Sequence, residues 1–168
     1  MDKKTIIAVV GKSGSGKTSL CNYLRTKYGI PYIVSYTTRH MRDGESNGAD
    51  HIFVTENDMP PKDQMLAYTN FGGNHYWALH IQVKNPVCYT IDEKGLIELK
   101  EKWSDRYNIV SVYIDRKECG VDKDRSDRDK DRVKIPKKDF DLVIKNNGKL
   151  DDFLELGSKN IIKLINKK

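Results

Sequence analysis

Residues 11–18 read Gly-Lys-Ser-Gly-Ser-Gly-Lys-Thr: a glycine, four residues, then Gly-Lys-Thr. Such a run forms a phosphate cradle when a strand feeds it and a helix leaves it. Residues 5–10 are uncharged and mostly β-branched, as expected of a parallel strand buried on both faces. Leu20, Tyr23 and Leu24 then recur at helical spacing, and Gly29 is placed to end the helix. The glycines let the backbone curl until successive N–H groups point at one anion, and the helix dipole adds its positive end. Lys17 is expected to stand in a solvent-filled cradle and reach the β- and γ-phosphates of a nucleotide, with the Thr18 hydroxyl ligating Mg²⁺. Gly11, Ser13, Gly14, Ser15, Gly16, Lys17, Thr18 and Ser19 are the candidate ATP contacts.

At 168 residues the chain is long enough for one domain with a sizeable core. Charged side chains make up 32%, and no apolar run approaches the roughly 20 residues that span a bilayer, so a cytoplasmic protein is expected. The apolar run at 5–10 is too short for the core of a signal peptide. Cys21, Cys88 and Cys119 fit neither a zinc site nor a redox pair and read as free thiols, two of them core fillers. The net charge of +6 suits a site for polyanionic nucleotides. The chain lacks a basic run of five and any aromatic–basic alternation, which argues against nucleic acid as the partner.

Further strands are expected at 30–34, 86–91, 108–114 and 140–144, with helices at 93–103 and 150–166. Strands alternating with helices imply right-handed crossovers and a parallel sheet flanked by helices, with ligands at the carboxyl ends of the strands. Two stretches interrupt the pattern. Residues 35–47 are polar and are not expected to join the core, 50–55 regain an apolar alternation, and a short helix is expected from 62 to about 70. Gly72-Gly73-Asn74 marks a turn, and 76–83 reads as a strand. Residues 116–138 are charged and nearly devoid of apolar side chains.

Residues 35–54 are dense in anion-binding groups. Arg39 and Arg42, three apart, can converge on one phosphate as planar forks, although the charge pattern by itself fits a solvated loop at least as well. The order of residues says more. Ser35-Tyr36-Thr37-Thr38-Arg39, then Arg42, Gly44-Glu45, Gly48 and Asp50-His51 resemble the guanylate kinase family, which has Tyr where this chain has His51. Gly73-Asn74-His75-Tyr76 resembles the family's Gly-Asn-x-Tyr turn. Residues 90–95 match its Asp-x-Asp-x-Gln-Gly in part, with Thr90 in place of the first Asp, and 139–146 resemble its last strand.

The resemblance implies a P-loop NTPase core (1–34, 84–115 and 139–168), an inserted acceptor-nucleotide-binding domain (35–83) and a short lid (116–138). It implies transfer of the γ-phosphoryl of ATP, with Mg²⁺, to a nucleoside monophosphate, GMP or dGMP foremost. Ser35, Arg39, Arg42, His51, Tyr76 and Asp92 would surround the acceptor. Lys17, Arg39, Arg42 and the lid arginines Arg125, Arg128 and Arg132 would neutralise charge during transfer. The three lid arginines are spaced to share one helix face, although the alternating charges at 124–132 fit a solvated loop as well. The family's guanine-reading Glu falls at Ala67, a Gly at Trp77, and a Ser or Thr at Ala78. A weakened guanine preference is therefore expected, with the Trp77 ring stacking on the base or narrowing the pocket. Asp63, one helical turn before Ala67, is the expected replacement reader if the preference survives. Two rival readings stand beside this one: a related P-loop kinase with another phosphorylated acceptor, such as another nucleoside monophosphate or a ribose bisphosphate, and a non-catalytic binding module of the same fold.

Overall fold

The computed structural model describes residues 2–121 and 123–167, without the side chains of Asp124, Arg125 and Arg128. In chain order the elements are β1 (Lys4–Gly11), α1 (Lys17–Tyr28), β2 (Tyr36–Thr37), β3 (Ile52–Phe53), β4 (Met65–Phe71), β5 (Asn74–Leu79), β6 (Val87–Thr90), α2 (Glu93–Trp103), β7 (Tyr107–Asp115), α3 (Lys123–Lys130), β8 (Leu142–Lys145) and α4 (Leu150–Ile165). Short 3₁₀ turns fill several of the connections.

The larger sheet is parallel, in the order β6-β1-β7-β8. β1 lies inside it, and Ile6 to Val10 are completely buried because side chains pack on both faces. Each such aliphatic residue contributes roughly 1.5–3 kcal/mol of burial. One face packs with Leu20, Leu24, Phe153 and Ile161 of α1 and α4. The other packs with Leu96 and Leu99 of α2 and with Leu66, Ala67 and Ala78 of the second sheet. That sheet has the order β3-β2-β5-β4 and shares the core of the first.

The parallel strands, α1, α2 and α4 lie close to their expected positions, and the match to a P-loop α/β fold holds. Cys21 and Cys88 are free and buried, as expected, and Cys119 is half-exposed. Three local expectations fail. Residues 30–34 form a single bridge at Tyr32, where Ile33 N–H donates to Cys88 and Cys88 N–H to Pro31. Pro31 has no N–H to extend a ladder. The polar stretch 35–47 contributes β2, whose Thr37 is fully buried. The helix expected from residue 62 is a 3₁₀ turn, Lys62–Gln64, followed by β4. Gly72 and Gly73, at φ 56° and 78°, make a two-residue hairpin loop that pairs Phe71 with Asn74, and the antiparallel ladder to β5 overrides local helix preference.

Among the described residues no helix is long and apolar enough to cross a membrane.

Candidate active site

The loop leaving β1 enters α1 through Gly16, a left-handed N-cap at φ 106°. A Cβ there would stand 2.8 Å from Asn146 Nδ2, so only glycine satisfies both the backbone and the close approach. Asn146, buried at the end of β8, donates from that nitrogen to the Ser15 carbonyl at 2.8 Å and braces the loop. Its neighbourhood in sequence gave no such role. The Ser15 hydroxyl is buried without a partner, its N–H donates to the Lys12 carbonyl at 3.1 Å, and its carbonyl takes the Asn146 bond, so the residue is turned inward. Ser13, Gly14, Lys17 and Thr18 line the two cavities described below. Gly11, Ser15, Gly16 and Ser19 do not.

Lys17 departs from expectation. Its Nζ donates to the Gly11 and Lys12 carbonyls at 2.8 and 2.9 Å. Burial, and next the Arg132 guanidinium, lower its pKa to about 8. Over the loop lies the segment carrying α3. The Asp129 carboxylate accepts from Ser13 N–H at 3.1 Å and from the Ser13 hydroxyl at 3.2 Å, so an anion from the chain already sits on the phosphate loop. Arg132 ties Asp129 (3.2 Å) to the buried Glu93 (2.8 Å). α3 ends at Lys130, so Arg132 lies beyond the helix and does not share its face with Arg125 and Arg128. The side chains of those two arginines lie outside the described residues.

The first cavity, about 270 Å³, is lined by Ser35, Arg39, Arg42, His51 and Tyr76, together with Ser13 and Thr18 of the loop. Five of the six expected acceptor residues thus meet in one place. Glu45 organises two of them. Arg39 gives it a two-pronged ion pair, Nη2 to Oε1 at 2.8 Å and Nη1 to Oε2 at 3.0 Å, and Arg42 N–H donates to Oε2 at 2.8 Å. The guanidinium bonds hold the Glu45 carboxyl down at about 2. The Gly-Glu match in the sequence contained Glu45, but only the fold shows what it holds. Ser35 and His51 share a hydrogen bond of 2.9 Å. Burial and then the Arg39 charge lower the His51 pKa, which favours neutral imidazole.

The second cavity, about 280 Å³, shares Ser13, Thr18, Ser35, His51, Tyr76 and Thr90 with the first and adds Lys17, Asp92 and Arg132. Asp92 caps α2, accepting from Gly95 N–H at 2.7 Å. Burial raises its pKa. The far wall comes from Thr69, Phe71 and Tyr89. Trp77, expected at this wall, is instead buried against Tyr36 in a parallel stack, ring centres 5.6 Å apart and planes 9° apart. Ala67 and Ala78 are cross-strand partners packed in the core. Asp63 is exposed in its 3₁₀ turn and is not one helical turn from Ala67, which is in a strand.

A family model described as guanylate kinase matches residues 2–161. The chain belongs to the guanylate kinase family. A guanylate kinase of Fusobacterium nucleatum is 32% identical over 62% of this chain and 62% of its own. One of Koribacter versatilis is 36% identical over 68% of this chain and 53% of its own. The matches thus span about half to three-fifths of these relatives. The solved guanylate kinase of Anaplasma phagocytophilum superposes with a TM-score of 0.68 at 19% identity, covering 98% of this chain and 86% of that one, and shares the fold.

Proposed function

We propose that this guanylate kinase family member transfers the γ-phosphoryl group of ATP to a nucleoside monophosphate, GMP or dGMP foremost, to give the diphosphate. The reading rests on the first cavity: Ser13 and Thr18 of the phosphate loop face the same space as Arg39, Arg42 and Tyr76. A triphosphate in the loop and a monophosphate against the arginines would meet in that cavity. The named relatives are guanylate kinases, which supports this acceptor class.

The protein's work in such a transfer is positioning and neutralisation, since the phosphoryl group moves between two oxygens without a covalent enzyme intermediate. Lys17 would leave its carbonyl partners for the β- and γ-oxygens. Arg39, aimed by Glu45, and Arg42 would hold the acceptor phosphate. Arg132, with Arg125 and Arg128 as the further lid candidates, would neutralise charge from the opposite side. His51 and Tyr76 are suited to donate to phosphate oxygens. The Thr18 hydroxyl lines both cavities and fits as a Mg²⁺ ligand, with the phosphates and water completing the shell. Bound there, Mg²⁺ would offset the charge developing on the bridging phosphate oxygens.

The test is to incubate the protein with MgATP and GMP, dGMP, AMP, CMP or dTMP and to follow ADP formation. Turnover led by GMP or dGMP is expected. Turnover of none would return the chain to the binding-module class.

A further inference from the structure

We propose that Tyr89 is a specificity-determining residue of the acceptor pocket, donating its phenolic proton to a carbonyl oxygen on the base. The inference rests on the kinase reading above and names the class of base that the pocket takes. Tyr89 is on β6, 4% exposed, and lies in the core among Ala67, Ala78 and Ile91. Its side chain nonetheless reaches the wall of the second cavity. Among the described residues its hydroxyl has no hydrogen-bond partner, and it is absent from the atoms sealed from solvent without one. A phenol in a packed core ordinarily finds a partner. An unpartnered one opening on a cavity has its partner supplied by whatever fills the cavity.

Its chemistry is constrained. Burial, and next the Asp92 and Glu98 carboxylates, push the phenol pKa up, so it stays protonated and able to donate. Asp92, on the same cavity wall, accepts one hydrogen bond from Gly95 and has acceptor capacity remaining. A donor beside an acceptor matches a base edge carrying C=O next to N–H. The 6-oxopurines present that edge, whereas adenine presents the reverse, an amino donor beside a ring-nitrogen acceptor. The Thr69 hydroxyl, on the same wall and also without a hydrogen-bond partner among the described residues, can donate or accept and tolerates either neighbour. Phe71 supplies an aromatic side chain to the wall. Among the described residues, Asp92 and Asp129 are the only carboxylates on this cavity's wall, so an exocyclic amine at purine position 2 meets only neutral acceptors such as the Ser35, Thr69 and Thr90 hydroxyls. Asp129 is occupied by Ser13 and Arg132. The pocket therefore reads the carbonyl and the ring N–H through Tyr89 and Asp92 and leaves the 2-amino group without a free carboxylate.

The experiment measures kcat/KM for GMP, IMP and AMP with saturating MgATP, in the wild type and in Tyr89→Phe. The wild type should use IMP within about tenfold of GMP, and both at least about a hundredfold better than AMP. Tyr89→Phe should lower the 6-oxopurine-to-AMP ratio by about tenfold or more, chiefly through KM, since one hydrogen bond to the base is lost. An unchanged ratio in a folded Tyr89→Phe protein overturns the role of Tyr89. A GMP preference over IMP beyond about a thousandfold shows a strong reader for the 2-amino group and overturns this account of the pocket without needing a variant. Failure of the wild type to bind or turn over any of the three overturns the kinase reading, and this inference with it.

Discussion

The phosphate-facing side of the site is made of backbone and charge, whereas the wall that would face a base is made of packing. Along the first, consecutive residues 11–18 do most of the building, and Arg39, Arg42 and Glu45 lie within seven residues of one another. Along the second, Thr69, Phe71, Tyr89 and Asp92 come from a hairpin, a strand of the other sheet and a helix cap. The difference teaches where this chain can change. Phosphate is the same on every nucleotide, so its cradle tolerates little. The other wall is a compromise among side-chain volumes, and Tyr89 belongs to the same core cluster as Ala67 and Ala78.

Removing the central charge should have the largest effect. Lys17→Ala is expected to lower kcat by at least about a hundredfold, as for other single electrostatic stabilisers. Among the described residues its Nζ bonds only to the Gly11 and Lys12 carbonyls, so the variant should stay folded by circular dichroism. Activity near that of the wild type would remove the phosphate side from the comparison.

Titrating the same amine should give the next largest effect. With its pKa at about 8 in the free protein, kcat/KM for ATP should fall above that pH, by up to tenfold per pH unit, as the ammonium is lost. Stability should move the other way. Between pH 8 and the ordinary lysine value of 10.5, this group binds fewer protons in the folded chain than in the unfolded one, so its contribution to stability rises with pH. Below pH 8 the burial penalty is present in full. A flat rate profile to pH 9.5 would show that bound nucleotide, not the free loop, fixes the state of Lys17.

A change that spares every cation on the substrate side tests whether Glu45 aims the arginines. Glu45→Ala frees the Arg39 fork and the Arg42 N–H together. The expected result is a rise of about tenfold in acceptor KM with kcat changed much less, since the aim of the cations is lost while the cations remain. A lowered KM would mean that Glu45 competes with phosphate.

The smallest effect belongs to the segment over the phosphate loop. Asp129 accepts from Ser13, and a triphosphate entering the loop would displace it. Asp129→Asn should tighten ATP binding by roughly threefold, read by calorimetry, because the competing population is reduced. Unchanged affinity would show that the carboxylate yields at no cost.

Part of this was legible in the residues alone. The phosphate loop depends on local order: glycines at set spacings, a buried strand before them and a helix after them. Such geometry is written in consecutive positions. The parallel strands were legible for the same reason, as short β-branched runs. The Arg39–Arg42 cluster was legible as a pattern, but its aim was not, because Glu45 acts through contacts that spacing does not encode.

The base wall was decided by tertiary structure. Residues 65–71 carry no strong period, so the chain's preference yields to the ladder with β5, and the Gly72-Gly73 turn was the one local signal for that hairpin. Once β4 is a strand, alternation sends Thr69 and Phe71 to the cavity, and Trp77 stacks on Tyr36. The same pairing puts Ala67 into the core near Tyr89, a residue that sequence alone marks only as part of a buried strand. Which side chain reaches a cavity depends on the volumes around it, and those volumes come from elements far apart in the chain. Local order fixed where phosphate can bind; packing between two sheets fixed what can lie beside it.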